Sequence, residues 1–559
     1  MKIDFVNIFG LLTLVSIVLG VWAGLSGKLR NARNMFKFDG VQMFFIIPAA
    51  FLFLLLMART FCQPMMSPDS VFRWNYLAIK IFETGGFGFY PPMSTEDFKL
   101  YFYVDGMPPL VQFSYYWLYA SFGSASETRL SVILIALQYV SIVFLCYYSA
   151  SHIFQSSKAG IYSVLLLLSS VIFFFSIFLG QETGLTALSM AATIYFLSGA
   201  DGEERASNSI LAGFSTALGA LSREYGLAFI VIGLLICFWR KRTGRNIFAY
   251  LLSSSLLCAS WYIYLFLRTG NPVYSLSIGT LFPVNETFDG IYKTYVIYFG
   301  LGTQTLPKIK FIINLLLTLS PLHLLLLPAL FFLPLKKVGY LIAATLAVIL
   351  IWLNSIGYTC GGFFYSLRTL APLIVVVSIA SGGLISRFSR GKRSAMLFGV
   401  IVSVSVIWGA YRDLCIPANT SMVPFRFIYN SAFGKLGRPG TVNYADIGEL
   451  PENAKVLSDS ALHHGALMTN SGKSGKMIDF VPVWSPEVTF LSNPENTYVK
   501  TLSELRSRGI TYVLYSKNSY NNAYLEKYPF FREYRSYSKA IYEDASILIY
   551  ILPDVNPGK

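Results

Sequence analysis

Several ionisable side chains of this 559-residue chain stand where long apolar runs break off. Asp69 and Arg73 lie four residues apart in "SPDSVFRW", just after a nearly uncharged run that ends at Cys62. Glu182 sits in "FSIFLGQETGLTALSM", and Arg223 and Glu224 in "SREYG". Carboxylates can take up protons, and guanidinium groups hold anions through paired, charge-assisted bonds. Inside hydrocarbon a charged side chain costs on the order of 2.5–3.5 kcal/mol even on mild scales. At the exit of a membrane span it does not, and it can still reach a group carried by a lipid. The ordinary readings are a turn carboxylate in water for Glu182 and a mutual ion pair for Arg223 and Glu224. Asp69, directly behind a span, is the least ordinary of the set.

The elements that must position these residues are membrane helices. The chain is 54% hydrophobic and 13% charged, with a mean hydropathy of +0.55; a soluble chain carries about 25% charged residues. Apolar windows of about 17–25 residues, enough to cross a ~30 Å hydrocarbon core, recur along most of its length. The reading is a polytopic α-helical membrane protein with about twelve transmembrane helices, near 5–25, 41–61, 130–150, 159–180, 184–200, 209–221, 225–239, 246–267, 311–334, 338–357, 367–386 and 395–412. Residues 5–25 read as a span, not a cleaved signal, because their basic residues follow the apolar run. The net charge of +15 comes mostly from short loops beside spans, which is the positive-inside pattern and calls for no nucleic acid.

Lys28/Arg30/Arg33/Lys37, Arg240/Lys241/Arg242/Arg245, Lys336/Lys337 and Arg387/Arg390/Lys392/Arg393 are expected on the cytoplasmic side. They share one side only if 209–239 crosses twice and turns at Ser222–Gly226. Loop 63–129, loop 268–310 and everything after about residue 413 then lie outside, with the turns at Glu182, Arg223 and Tyr358–Arg368. This gives a transmembrane domain, 1–412, and an extracytoplasmic α/β domain, 413–559. In the latter "AKVLSDSA", "KMIDFVPV", "ITYVLYS" and "ASILIYIL" read as strands, and "TLSELRSRG" as a helix capped at Thr501 or Ser503 and stopped by Gly509.

Loop 63–129 also carries Lys99 and Asp105, and an amphipathic stretch, "AIKIFETGGFGFY", rich in interfacial aromatics. The six cysteines are scattered, with no metal or redox spacing, and read as apolar fillers of helices. His463 and His464 are adjacent and make a poor metal site alone, and His323, inside a span, reads as a packing contact. Asn285 and Asn419 match the glycosylation acceptor pattern, too frequent a match to decide anything.

Taken in order, the outer-face pieces resemble the C-type glycosyltransferase superfamily, which includes protein O-mannosyltransferases and aminoarabinose transferases. The resemblance runs from Asp69 to Pro372. Asp69 is followed by "LAIKIF" and "GGFGFYPP"; "GMPPLVQFSYYWLYASFGSASETRL" matches a "KPPL…W" segment at Pro108, Pro109, Trp117, Gly123 and Arg129; Glu182 takes the place of a later carboxylate. "GFSTALGALSREYG" puts Arg223 on the family's basic residue, "RTGNPVY" supplies Asn271, and "FFYSLRTLAPLI" resembles its "RY.LP.LP" span, with Arg368 after the Tyr instead of before it. Two departures stand out: Met107 replaces the family's Lys, and Ser70 follows Asp69 where many relatives have a second acid.

The resemblance implies a transferase that moves a sugar from a polyprenyl-phosphate donor to a glycan, lipid or protein acceptor on the outer face of the plasma membrane, in contact with membrane lipid. Asp69 would be the base and Glu182 its assistant; Arg223, then Arg73, with Arg368 or Lys99 in place of the missing Lys, would hold the phosphate; Asp105, Pro108, Pro109, Glu224, Tyr225 and Asn271 would line the substrate loops. In-line attack would invert the sugar. No cofactor is required, though the family admits a divalent metal. The competing classes are a lipid-linked saccharide flippase, disfavoured because polar groups gather at one face and no inverted repeat is visible, an envelope polysaccharide polymerase or ligase, expected to carry more Arg, and a silent scaffold.

Overall fold

The computed structural model describes residues 50, 53–54, 56–57, 60–61, 69–125, 128–198, 206–300, 306–359, 362–389, 397–402, 404–405, 408, 450–460, 478–517, 519, 521–543 and 546–554. The expected span 5–25, most of 41–61 and half of 395–412, the basic residues Lys28 to Lys37 and Arg390 to Arg393, His463, His464 and Asn419 lie outside them.

Apolar periodicity and few breakers make the chain from Ser70 to Phe388 helical. A π-helical turn, Ser70–Trp74, leads into α1 (Asn75–Thr84), which stops at Gly85 with φ +67°, a conformation that costs glycine nothing. There follow α2 (Thr95–Leu100), with a capping box from Ser94 and Asp97, and α3 (Leu110–Phe122). Then come α4 (Ser131–Phe154), α5 (Ser157–Leu168), α6 (Val171–Phe178), α7 (Glu182–Leu197), α8 (Ala206–Ser222), α9 (Leu227–Trp239) and α10 (Gly244–Thr269). The rest are α11 (Glu286–Phe299), α12 (Leu306–Leu319), α13 (Pro321–Leu326), α14 (Leu335–Ser355), α15 (Gly362–Ser366) and α16 (Ala371–Phe388).

Among the described residues four helices are long and apolar enough to cross a membrane, Thr128–Phe154, Gly244–Thr269, Val338–Tyr358 and Leu367–Phe388, or up to six if each of two bent pairs is one span. The expected straight spans 159–180 and 311–334 are those bent pairs. α5 and α6 meet at 69°, and the helices on either side of Ser320 at 109°. Ser170, Ser320, His323 and Ser378 explain where the breaks fall. Ser170 and Ser320 hydroxyls are 2.8 Å apart, and His323 bonds Ser320 at 2.9 Å and Ser378 at 2.8 Å. These buried side chains satisfy one another where both helices are interrupted. The expected double pass of 209–239 matches a helix that ends at Ser222, a 3-10 turn Glu224–Gly226, and a new helix from Leu227.

One end of the bundle collects Arg240, Arg242, Lys336 and Arg387. Arg242 donates to the Leu197 carbonyl at 2.9 Å, Ser198 and Tyr340 hydroxyls lie 3.0 Å apart, and Tyr162 and Ser389 hydroxyls 2.7 Å. The segments holding Arg240, Lys336 and Arg387 are therefore neighbours, and Glu182, Arg223 and Arg368 sit at the other ends of the same helices. The buried core runs through α4 to α9, α14 and α16.

The C-terminal unit is a five-stranded sheet in the order β2-β1-β3-β5-β4, built from β1 (Lys455–Ser458), β2 (Asp479–Pro482), β3 (Ile510–Ser516), β4 (Lys539–Glu543) and β5 (Ile547–Ile551). β2, β1 and β3 are parallel; β5 pairs antiparallel with β3, and β4 antiparallel with β5. Four of these strands were expected; β4, "KAIYE", is short and largely exposed, and escapes an apolar-pattern reading. The helix expected over 501–509 begins a turn earlier, as Tyr498–Ser507, because Thr497 caps it by accepting from the Lys500 N–H.

Two stability predictions follow from this packing. A Cβ on Gly226 would overlap the backbone carbonyl of Gly219, so Gly226→Ala should lower stability by about 1–3 kcal/mol, read as an earlier thermal transition in detergent. In the α/β unit, burial pushes the Asp459 carboxyl from 3.8 up to about 6, against the hydrogen bonds from Ser516. The folded unit then keeps a proton that the unfolded chain has released, so stability should fall as pH rises from about 4 through 6. Melting curves of Asp459→Asn across that range should be flatter than wild type.

Candidate active site

The site is assembled where the helices stop. The π-helical turn after Asp69 brings Asp69 and Arg73 onto one face. The extended strap 101–107 carries Asp105. The tight turn between α6 and α7, with Gly180 at φ +62°, carries Gln181 and Glu182. Arg223 precedes the 3-10 turn after α8, and Arg368 lies in the 3-10 turn Leu367–Leu370 before α16. Each turn is pinned from outside the cluster. The Tyr115 hydroxyl donates to the Gly180 carbonyl, the Ser70 hydroxyl to the Leu179 carbonyl at 3.3 Å, and the Ser176 hydroxyl to the Arg368 carbonyl at 2.8 Å.

Asp69 is the hub. Its Oδ2 accepts from the Tyr365 hydroxyl at 3.0 Å and from Arg368 Nη2 at 3.3 Å, with Arg73 Nη1 at 3.8 Å. Its Oδ1 has no partner among the described residues. Arg368 reaches across to Glu182 through Nη1 at 3.1 Å, and the same Nη1 donates to the side-chain Oε1 of Gln181. The Arg368 guanidinium lies 4.1 Å from the centre of the Tyr365 ring, and Gln181 Nε2 donates to the Tyr365 hydroxyl at 3.1 Å. On the other flank Arg73 Nε donates to Asp105 Oδ2 at 2.6 Å, over the Tyr103 ring at 4.7 Å. Tyr90 and Tyr101 hydroxyls donate to Asp105 at 2.9 Å and 3.2 Å.

The two aspartates have opposite electrostatics. Burial pushes both carboxyls up. At Asp69 the guanidinium groups of Arg368, Arg73 and Arg223, with the Tyr365 hydroxyl, outweigh burial and hold the carboxyl below its ordinary 3.8. At Asp105 burial wins over Arg73 and Tyr90, and the carboxyl is raised. Asp69 is thus the aspartate whose neighbours favour its charged form most, and it is also reachable, with 15% of its side chain exposed against 1% for Glu182.

The structure brings Asp69, Arg73, Asp105, Glu182 and Arg368 into one network, with Arg223 beside it. Arg73 and Arg368 are buried and bound to carboxylates, whereas Arg223 is 20% exposed. Arg223 pairs with Glu224 at 3.1 Å and points Nη1 at the Met107 sulfur, 2.7 Å away. Met107, at the position of the family's Lys, is therefore in the site but neutral. Pro108 and Pro109 are buried and lead into α3. The Tyr225 hydroxyl lies 3.4 Å from that of Thr186. Lys99 falls elsewhere, exposed and paired with Glu96 at 2.8 Å. Asn271 is fully buried and staples its own loop, donating to the Leu276 and Pro283 carbonyls and accepting from the Val273 N–H at 2.9 Å. The Asn285 amide likewise caps α11 and donates to the Trp484 carbonyl. Among the described residues no group of three His, Cys, Asp or Glu is arranged to hold a metal.

Sequence reasoning passed over Gln181, Tyr365, Tyr90 and Tyr101. Gln181 and Tyr365 were adjacent to marked residues, in "GQE" and "YSLR". Nothing local distinguishes Tyr90 and Tyr101 among the 36 tyrosines of the chain.

Residues 107–279 match the family model of dolichyl-phosphate-mannose-protein mannosyltransferases. The fold is similar to that of ArnT from Cupriavidus metallidurans. The apo form superposes with a TM-score of 0.54 at 12% identity, over 91% of this chain and 97% of that one. The form bound to undecaprenyl phosphate gives 0.52, at 12% identity over 91% and 98%. The oligosaccharyltransferase of Archaeoglobus fulgidus, tethered to an acceptor peptide, follows at 0.49 and 11% identity, over 92% of this chain and 74% of that one. No curated protein matches the chain in sequence. The resemblance read from the sequence is thus met again by a family model over residues 107–279 and by a fold similar to that of ArnT, with several helices apolar enough to cross a membrane.

Proposed function

We propose that the protein is a membrane glycosyltransferase that takes a sugar from a polyprenyl-phosphate carrier and passes it to a nucleophilic acceptor, a hydroxyl or amine of a glycan, lipid or protein. The observation that carries this reading is the Asp69 carboxylate. It is held ionised by guanidinium groups that engage one oxygen, while the other has no partner among the described residues, at the end of an apolar bundle where a lipid's phosphate would lie. The matched segment 107–279 and the ArnT-like fold support the donor class.

In this reading the acceptor's proton goes to Asp69 Oδ1 as its oxygen or nitrogen attacks the anomeric carbon. The bond from that carbon to the phosphate oxygen breaks, and the polyprenyl phosphate leaves with the electron pair. Attack opposite the phosphate inverts the sugar. Arg223 is the phosphate ligand, being the arginine of the cluster with an open face. Arg368 and Arg73 act mainly by aiming Asp69 and keeping it charged, and Glu182 acts through Arg368. No metal is needed for this sequence of events. The site and the α/β unit are assigned to the outer face of the plasma membrane, since Arg240, Lys336 and Arg387 gather at the opposite end of the bundle.

The test is a panel of polyprenyl-phosphate sugars offered to the protein in lipid discs, with and without candidate acceptors, following release of free polyprenyl phosphate. One donor should be turned over, and Asp69→Asn should cut its rate by about 10²–10⁴-fold with donor binding kept. Turnover that survives in Asp69→Asn would discard the base, and no turnover of any donor would shift the case to a flippase. Arg223→Gln should act differently. Losing a charge-assisted phosphate bond worth about 1.5–3 kcal/mol should raise the donor KM by roughly tenfold or more. Configuration of the product, read by NMR, should be inverted.

A further inference from the structure

Among the contacts between the α/β unit and the helical part, one reaches the strap that carries Asp105. Trp484 follows β2, is buried, and donates its indole N–H to the Phe102 carbonyl at 2.7 Å. Its ring packs edge-on against Tyr103, 5.7 Å between centres, and against Phe288, 5.8 Å. Phe102 and Tyr103 belong to the strap that bears Asp105. The Arg73 guanidinium lies 4.7 Å from the centre of that same Tyr103 ring, and Tyr101, one residue before Phe102, donates to Asp105. The strap has no regular secondary structure between Tyr101 and Pro108. Among its contacts are those of Arg73 and Tyr90 at Asp105, of Tyr90 at the Met107 carbonyl and, from the α/β unit, of Trp484 at Phe102.

We propose, resting on the function above, that Trp484 is a positioning residue of the transfer site. Docked through the strap, it fixes Tyr103 and Asp105, which fix Arg73, which in turn helps aim Asp69. Trp484 touches no reacting atom. The α/β unit thereby becomes part of the catalytic assembly: without the indole, the strap loses its bond to that unit and Arg73 loses the ring it rests on. The Arg368–Glu182 half of the network hangs on α15, α16 and the turn before α7, and it should not feel the change.

The experiment uses the full chain in lipid discs and Trp484→Phe, which keeps an aromatic ring and removes the N–H. Two readouts are taken. Phenylglyoxal labels accessible guanidinium groups; in wild type, Arg73 and Arg368, each about 5% exposed, should both be protected. In Trp484→Phe, Arg73 should become labelled and Arg368 stay protected, as seen by peptide mass spectrometry. In the transfer assay kcat should fall about tenfold while the donor KM stays within about twofold, the signature of a lost transition-state contribution. Tyr103→Leu, which removes the ring that both Trp484 and Arg73 contact, should give the same pattern should Trp484→Phe fail to fold. Thr287→Val, which breaks the 2.7 Å contact of Thr287 with Ser492 elsewhere on the docking surface, should change neither readout. Arg73 still protected in the folded variants, kcat unchanged, or both arginines labelled together would each overturn the proposal. Wild type that transfers no sugar from any donor would overturn the function itself, and this role with it.

Discussion

The cluster depends on one shared atom, Asp69 Oδ2, which binds Tyr365 and Arg368 and lies near Arg73. A carboxylate taken out of water this far would ordinarily take up a proton. At separations near 4 Å, and at an effective dielectric of about 20, each guanidinium offers attraction on the order of 4 kcal/mol. More than one such neighbour is enough to reverse the effect of burial. The same arginines would be costly without their carboxylates, so acids and bases hold each other in the charged state. Asp105, with one close arginine and two tyrosines, falls on the other side of that balance.

Most of the irregular backbone in the helical part serves this cluster. Long straight helices would carry their polar residues into hydrocarbon. Ending α6 at Phe178, α8 at Ser222 and restarting before α16 through 3-10 turns leaves short polar edges at a common level. The hydroxyls of Ser70, Ser176 and Tyr115 bind the backbone of those edges, so the positions of Glu182 and Arg368 follow from packed helices and not from mobile side chains. Small residues permit the approach: a Cβ at Gly106 would overlap Tyr274, and one at Gly180 would meet Tyr115. The buried core beneath is aliphatic and aromatic, and gives the cluster a fixed floor.

The exchange of Lys for Met at position 107 changes how a phosphate would be met. With a thioether facing Arg223 and carboxylates on Arg73 and Arg368, the cations are largely compensated before any ligand arrives. An incoming phosphate would compete with Glu224 for Arg223.

The sequence by itself determined the apolar helical character, the turn at Ser222–Gly226, the mixed strand and helix character of the tail, and Asp69, Glu182, Arg223 and Arg368 as residues to watch. These are readable because hydropathy, basic-loop bias and breakers act over a few residues. Only the tertiary structure decided that spans 159–180 and 311–334 are bent, that Arg73 and Arg368 serve carboxylates, that Lys99 and Asn271 stand outside the cluster, and that Tyr365, Tyr90 and Tyr101 belong to it. Tyr365 lies 296 residues from the Asp69 it binds, and Trp484 lies 382 from Phe102. Partners so distant leave no local spacing to read, and whether an arginine faces a ligand or a carboxylate depends on which helix ends the packing brings together.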